Sequence, residues 1–132
     1  MDIEIRNTSD KGRGVFATKL IPKGCRHVSE CIKFDFSEIN VKSIFHMYAF
    51  GSFDASCGLI AVDWTSLINH SKEPNLKYRC NIYNQVEFEA IRDIEPDEEL
   101  TIDYHYTISE QAKKHGINIE AWNASTITNN WC

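Results

Sequence analysis

The sequence predicts a mainly β fold with short helices, and three observations carry that prediction. Apolar residues recur with a period of two in short runs. Those runs are separated by clusters of Gly, Pro, Asn and Asp. One pair of runs, between residues 76 and 90, has the pattern of a hairpin. At 132 residues the chain is long enough for one core and too short for two. Residues 1–132 are therefore read as a single domain, with the informative motifs between 3 and 106. A C-terminal segment of different texture follows, over 107–132.

Ile3 to Arg6 alternates and predicts a first strand, and Asn7 to Gly14 is rich in turn formers. Val15-Phe16-Ala17 predicts a short strand ending before the Pro22-Lys23-Gly24 turn, and His27 to Ile32 another. Val41, Ile44, Phe45 and Tyr48 fall at helical intervals, which predicts a short helix over 41–50. Gly58 to Val62 reads as a buried strand. Leu76, Tyr78, Cys80 and Ile82 then alternate with Lys77, Arg79 and Asn81, and after Asn84-Gln85 the residues Val86, Phe88 and Ala90 alternate with Glu87 and Glu89. This is a hairpin with one wet face, across which Lys77 and Arg79 face Glu87 and Glu89, at a few tenths of a kcal/mol per pair. Residues 15–24 and 88–97 echo each other in their Ala, basic, Ile and turn positions: a recurring building block, too little for a repeat protein. Ser109 caps a predicted helix over 110–115, ended by Gly116.

Composition narrows the function. A net charge of −5 without an evident basic face argues against phosphate-neutralising nucleic-acid binding and favours basic partners such as Lys/Arg-rich peptides. No run is long enough to cross a membrane, and the start lacks the pattern of a secretory signal. Five scattered cysteines make a disulfide framework improbable, so reduced thiols and an intracellular location are expected. Cys25, His27 and Cys31 have a loosely metal-like spacing, but no second pair completes four ligands, so no metal site is expected. No nucleophile elbow, P-loop or zinc-protease helix is present.

Three segments remain to be explained. Lys11-Gly12-Arg13-Gly14 lacks a third glycine and a following helix, so it is no dinucleotide loop; alone it reads as an ordinary tight turn or as a backbone that a ligand approaches closely. Asn69-His70-Ser71-Lys72-Glu73-Pro74-Asn75 reads either as a turn whose side chains satisfy local backbone or as a polar binding loop. Tyr104, after Glu98-Glu99-Leu100-Thr101-Ile102-Asp103, is either a core strand tyrosine or a phenol at a reacting centre. The seven acids from Glu87 to Glu99 read as a solvated face or as an attractor for a basic tail.

Together, in this order, the three segments resemble the motifs of SET-domain protein lysine methyltransferases of the compact viral and short bacterial type. The resemblance implies a SET fold: small β-sheets around a knot-like C-terminal crossing. It implies S-adenosylmethionine as cofactor, held by Lys11, Gly12, Arg13, Gly14, Asn69, His70 and Tyr104. It implies Tyr104 as the catalytic residue and a lysine channel shaped by Tyr48, Tyr78 and Ile102. Trp64 matches an aromatic position of compact members. The implied partner is a lysine-containing, basic protein or peptide, a histone among the candidates.

Methyl transfer to an amine is an in-line displacement, so alignment in a narrow tunnel is the main task. The incoming lysine must be neutral, which costs ~4.6 kcal/mol at pH 7 from its reference pKa. The sulfonium charge and a desolvated aromatic channel lower that cost without a dedicated base. Two departures from the family stand out. Ile102 replaces a common Phe or Tyr, leaving the number of methyls added open between the room it makes and the hydroxyl of Tyr78. The cysteine-rich zinc-binding tail is missing, so 107–132, through Trp122 or Trp131, is expected to cover the cofactor. The competing reading is a SET-fold module that grips peptide or cofactor with little turnover; a β-rich interaction domain with fortuitous motifs needs three ordered coincidences.

Overall fold

A computed structural model of the chain describes residues 1–38, 48–52 and 56–104. The predicted helices over 41–50 and 110–115, and the covering role given to 107–132 with Trp122 and Trp131, fall largely or wholly outside these residues. Strands in chain order are β1 (Ile3–Asn7), β2 (Arg13–Ala17), β3 (Arg26–Ser29), β4 (Cys31–Phe34), β5 (Phe50–Gly51), β6 (Gly58–Ala61), β7 (Asn69–His70), β8 (Leu76–Cys80), β9 (Val86–Ala90) and β10 (Glu99–Ile102). They form three sheets, ordered β1-β2-β10-β7, β3-β9-β8 and β4-β6-β5. Helical structure among the described residues is limited to 3₁₀ turns at Phe36–Glu38 and Trp64–Leu67. The mainly β expectation is met.

Two local expectations change. The run His27–Ile32 is two strands broken at Glu30: β3 pairs with β9 and β4 with β6. Phe50, placed at the end of a predicted helix, lies in β5, paired with Leu59.

The β8–β9 hairpin forms with the expected partners, Lys77 opposite Glu89 and Arg79 opposite Glu87. Its charged face is not wet. Lys77 is 9% and Arg79 4% exposed, and Glu89 takes Arg26 at 2.9 Å as well as Lys77 at 3.1 Å. Burial lowers the Lys77 pKa, and Glu89 opposes that shift. Breaking such a buried pair from one side costs about 3–5 kcal/mol, well beyond the few tenths expected of a surface pair.

The sequence echo extends into a structural repeat. The β1–β2 hairpin, with Ile3 opposite Ala17, matches the β8–β9 hairpin, with Leu76 opposite Ala90. The third strand of each unit is exchanged: β3 lies on β9, with Arg26 opposite Glu89, and β10 lies on β2, with Glu99 opposite Phe16. The connecting bonds repeat too. Ala17 N–H donates to Glu98 O as Ala90 N–H donates to Cys25 O, both at 2.9 Å. Ile21 and Ile94, equivalent in the echo, bridge each other through two 2.9 Å backbone bonds and are almost wholly buried. Val15, Phe88, Leu100 and Ile102 fill the core around this crossing.

The halves differ at one edge. β10 takes a further neighbour, β7, in parallel register, with Thr101 opposite Asn69 and Ile102 opposite His70, whereas β3 is an edge strand. Buried Asn75 secures the extra pairing: its Nδ2 donates to Glu99 O at 2.8 Å and its Oδ1 accepts from Thr101 N–H at 2.9 Å. Asn75→Ala strands both buried backbone groups. It should lower unfolding stability by about 2–3 kcal/mol in urea titration, with an unchanged m-value.

Candidate active site

Because β10 lies between β2 and β7, the glycine loop, the Asn-His pair and the Glu99–Tyr104 segment meet at one place. The glycine loop is closed by Thr8, whose N–H and Oγ1–H both donate to Gly12 O, at 2.6 and 2.8 Å, while its Oγ1 accepts from Lys11 N–H at 2.8 Å. Gly12 has φ +74°, a conformation that side chains other than glycine's adopt at a cost, and its Cα faces open space. Gly14 is needed for a different reason. A Cβ there would lie 2.6 Å from Glu99 Oε1 and 3.1 Å from Asn69 Nδ2.

Glu99 links the three segments. Its Oε2 meets Lys11 Nζ at 3.0 Å and its Oε1 accepts from Asn69 Nδ2 at 2.7 Å. Asn69 Nδ2 also donates to Arg13 O at 2.9 Å. Of the residues expected to hold cofactor, Lys11, Arg13 and Asn69 are thus in one bonded cluster, with Gly14 beside it and Gly12 tied to it through Thr8. Glu99 has no site role in the sequence reading, where it is one of the acids of a solvated face or of an attractor for a basic tail. The available signal was its place on β10, one strand over from Gly14.

His70 turns toward Tyr104. Its Nδ1 accepts from Tyr104 N–H at 3.0 Å, and the two rings are 5.3 Å apart. In the neutral ring that bond puts the proton on Nε2. The Tyr104 hydroxyl donates to Ile68 O. Burial, then the neighbourhood of Tyr48 and Glu99, raises the Tyr104 pKa, so the group is a neutral phenol at physiological pH.

Tyr104, Tyr48, Tyr78 and Ile102 line a single cavity of about 530 Å³, with Phe50, Thr65, Ser66 and Ile68 completing its wall. All three expected channel residues and the expected catalytic tyrosine are therefore brought together. Tyr78 packs edge-on to Phe50 at 5.1 Å, and Phe50 edge-on to buried Phe88 at 6.0 Å. Burial, with Cys80, Asp103 and Tyr104 nearby, pushes the Tyr78 phenol up to about 12.

Trp64 does not line the cavity; it braces it. Its ring sits 4.6 Å from that of His27. Asp63 caps the same 3₁₀ turn, accepting from Thr65 N–H at 2.9 Å, Thr65 Oγ1 at 2.6 Å, Ser29 Oγ at 3.1 Å and His27 Nε2 at 2.9 Å. Burial alone would raise the Asp63 carboxyl, but these bonds hold it below its usual value. The wall bearing Thr65 and Ser66 is so fastened to β3.

The metal-like trio is spoken for otherwise. His27 is on Asp63, and Cys31 is a free thiol that burial raises to about 11. Among the described residues no three His, Cys, Asp or Glu side chains are grouped to hold a metal. The expectation of reduced thiols is met at Cys31, Cys57 and Cys80 but not at Cys25, which is disulfide-bonded.

Comparison with known proteins agrees with this geometry. The SET domain family model matches residues 12–105. The histone-lysine N-methyltransferase specific for H3 lysine-37 of Schizosaccharomyces pombe is 32% identical over 107 residues, covering 77% of this chain and 72% of that protein. Among solved structures, KRYPTONITE in complex with mCHH DNA, an H3(1–15) peptide and SAH is 25% identical with a TM-score of 0.66; the match covers 80% of this chain and 24% of that one. A Plasmodium falciparum structure, 24% identical with a TM-score of 0.65, covers 82% of this chain and 96% of its own, and shares the fold. With its motifs assembled by β10 and its sequence matched over most of its length, the chain belongs to the SET domain family.

Proposed function

We propose that the chain is a protein lysine methyltransferase that uses S-adenosylmethionine and acts on a lysine in a basic protein segment, of which a histone tail is the leading candidate. The observation that carries this reading is the convergence of Tyr48, Tyr78, Ile102 and Tyr104 on one cavity, beside the Lys11–Gly14, Asn69 and His70 cluster. The histone-lysine methyltransferase activity of the yeast relative, and the histone peptide and SAH held by KRYPTONITE, support it.

The cluster fits such a cofactor. The backbone at Gly12 is open to close approach, and Asn69 Oδ1 is an acceptor suited to an ammonium group. S-adenosylmethionine supplies a methyl group activated on a sulfonium. The chain supplies alignment and a dry, aromatic passage. Tyr48, Tyr78 and Tyr104 surround the path of the lysine side chain, and Ile102 closes it with an aliphatic wall. The Tyr104 hydroxyl, already fixed to Ile68 O, orients the reacting sulfur–methyl group as a neutral dipole. Tyr78 and Tyr104 stay protonated near neutrality, so neither takes the proton from the lysine.

Incubation with labelled S-adenosylmethionine and core histones tests the reading. Wild type should label a histone, and Tyr104→Phe should lower kcat by about 10²-fold with SAH affinity retained within about threefold. Cofactor binding without transfer to any basic protein would leave a binding module; absence of cofactor binding would overturn the reading. The wild-type rate should climb between pH 7 and 9 as the substrate lysine deprotonates; a flat profile points to a dedicated base instead. Tyr78→Phe removes a hydroxyl from the channel and should raise the number of methyls accumulated per lysine by mass spectrometry. An unchanged product distribution would remove Tyr78 from product control.

A further inference from the structure

Asn69 has a side-chain amide with two donor hydrogens and one acceptor oxygen. Its nitrogen faces two groups that can only accept, Arg13 O at 2.9 Å and Glu99 Oε1 at 2.7 Å. The assignment of nitrogen and oxygen is therefore fixed by chemistry: a flipped amide would set its oxygen against a carbonyl and a carboxylate. Both donors are used, and Oδ1 is left without a partner among the described residues. Glu99 is itself held from the other side, since Lys11 Nζ takes Oε2 at 3.0 Å. Its side chain is only 18% exposed, and Gly14 leaves the space in which it lies.

We infer that Glu99 is a positioning residue which locks the Asn69 amide with its oxygen toward the cofactor, so that the site selects a ligand carrying an α-ammonium group. The inference rests on the cofactor reading above and deepens it. Arg13 O alone, with one contact to the amide, restrains only weakly a terminal torsion that is broad for a side-chain amide. The second acceptor removes that freedom, and the Lys11 contact keeps the carboxylate from following. Gly14 thereby has a role distinct from backbone approach: it makes room for the lock.

Three variants and two ligands test this. The ligands are SAH and its deamino analogue, in which hydrogen replaces the ammonium group. Glu99→Ala removes the acceptor, and SAH affinity measured by calorimetry should fall about tenfold. The deamino analogue should bind wild type and Glu99→Ala within about twofold of each other, because it has no ammonium for Oδ1 to receive. Glu99→Gln keeps an acceptor oxygen for Asn69 and should restore SAH affinity to within about threefold of wild type. In an Asn69→Ala background the Glu99→Ala change should have no further effect on SAH, the signature of coupled groups.

Equal loss of both ligands in Glu99→Ala, retention of SAH affinity there, or no rescue by Glu99→Gln would each overturn the inference. Failure of wild type to bind SAH at all would instead overturn the cofactor reading. Should Glu99→Ala not fold, wild type alone gives the answer by NMR: both Asn69 side-chain amide protons should be resolved and exchange slowly with solvent. Fast exchange of these protons would overturn the lock.

Discussion

β10 is four residues long, and its backbone must be paired on both sides once it is buried. One side is met by β2, from near the start of the chain, and the other by β7 and the side chain of Asn75. Paired on both edges, β10 fixes where Glu99, Ile102 and Tyr104 go. Glu99 is delivered over Gly14, Ile102 into the cavity wall, and Tyr104 beyond the strand end beside His70. Without the parallel pairing to β7, Asn69 and His70 would have no fixed distance to the glycine loop.

Placement of the site follows from a repeat that is broken once. Two hairpins, β1–β2 and β8–β9, each receive the third strand of the other unit, which ties the halves together. In one half the received strand, β3, ends the sheet, and its Arg26 joins a buried set of charges. In the other, the received strand takes on β7 and gains a polar loop. The positions that correspond, Arg26 and Glu99, have accordingly diverged: one neutralises a carboxylate on its own sheet, the other reaches across to an amide and a lysine.

What could be read in the sequence was local. The hairpin over 76–90 has a clean period of two and a polar turn, so its strands and the Lys77–Glu89 and Arg79–Glu87 pairs were legible. Their burial was not, nor was the contact of Arg26 with Glu89, which are 63 residues apart in sequence and brought side by side by the β3–β9 pairing. The break at Glu30 was hidden for the same reason: nothing within His27–Ile32 shows that its two ends join different sheets. Ala17 with Ala90 and Ile21 with Ile94 betrayed the repeat, whereas Ile3 to Asn7 and Leu76 to Cys80 share too little to extend it. At the site, the residues that matched family motifs were found. Glu99, which holds Asn69 and Lys11, and Asp63, which fastens the cavity wall at Thr65, carry no signal apart from the fold.

That division has a chemical basis. A residue whose proposed task is to meet a ligand needs a given functional group, so its type and spacing leave a mark in the sequence, as at Asn69, His70 and Tyr104. A residue that fixes another's orientation needs only to present an acceptor or a donor at the right point, and its identity is set by geometry that the chain creates elsewhere. Asp63 receives four donors from β3 and the 3₁₀ turn, and Glu99 receives two from opposite sides of β10. Both carboxylates are held by several neighbours at once, which restrains them. Rigidity at these two points is what an in-line transfer asks of a small β protein, since the reacting atoms tolerate little displacement.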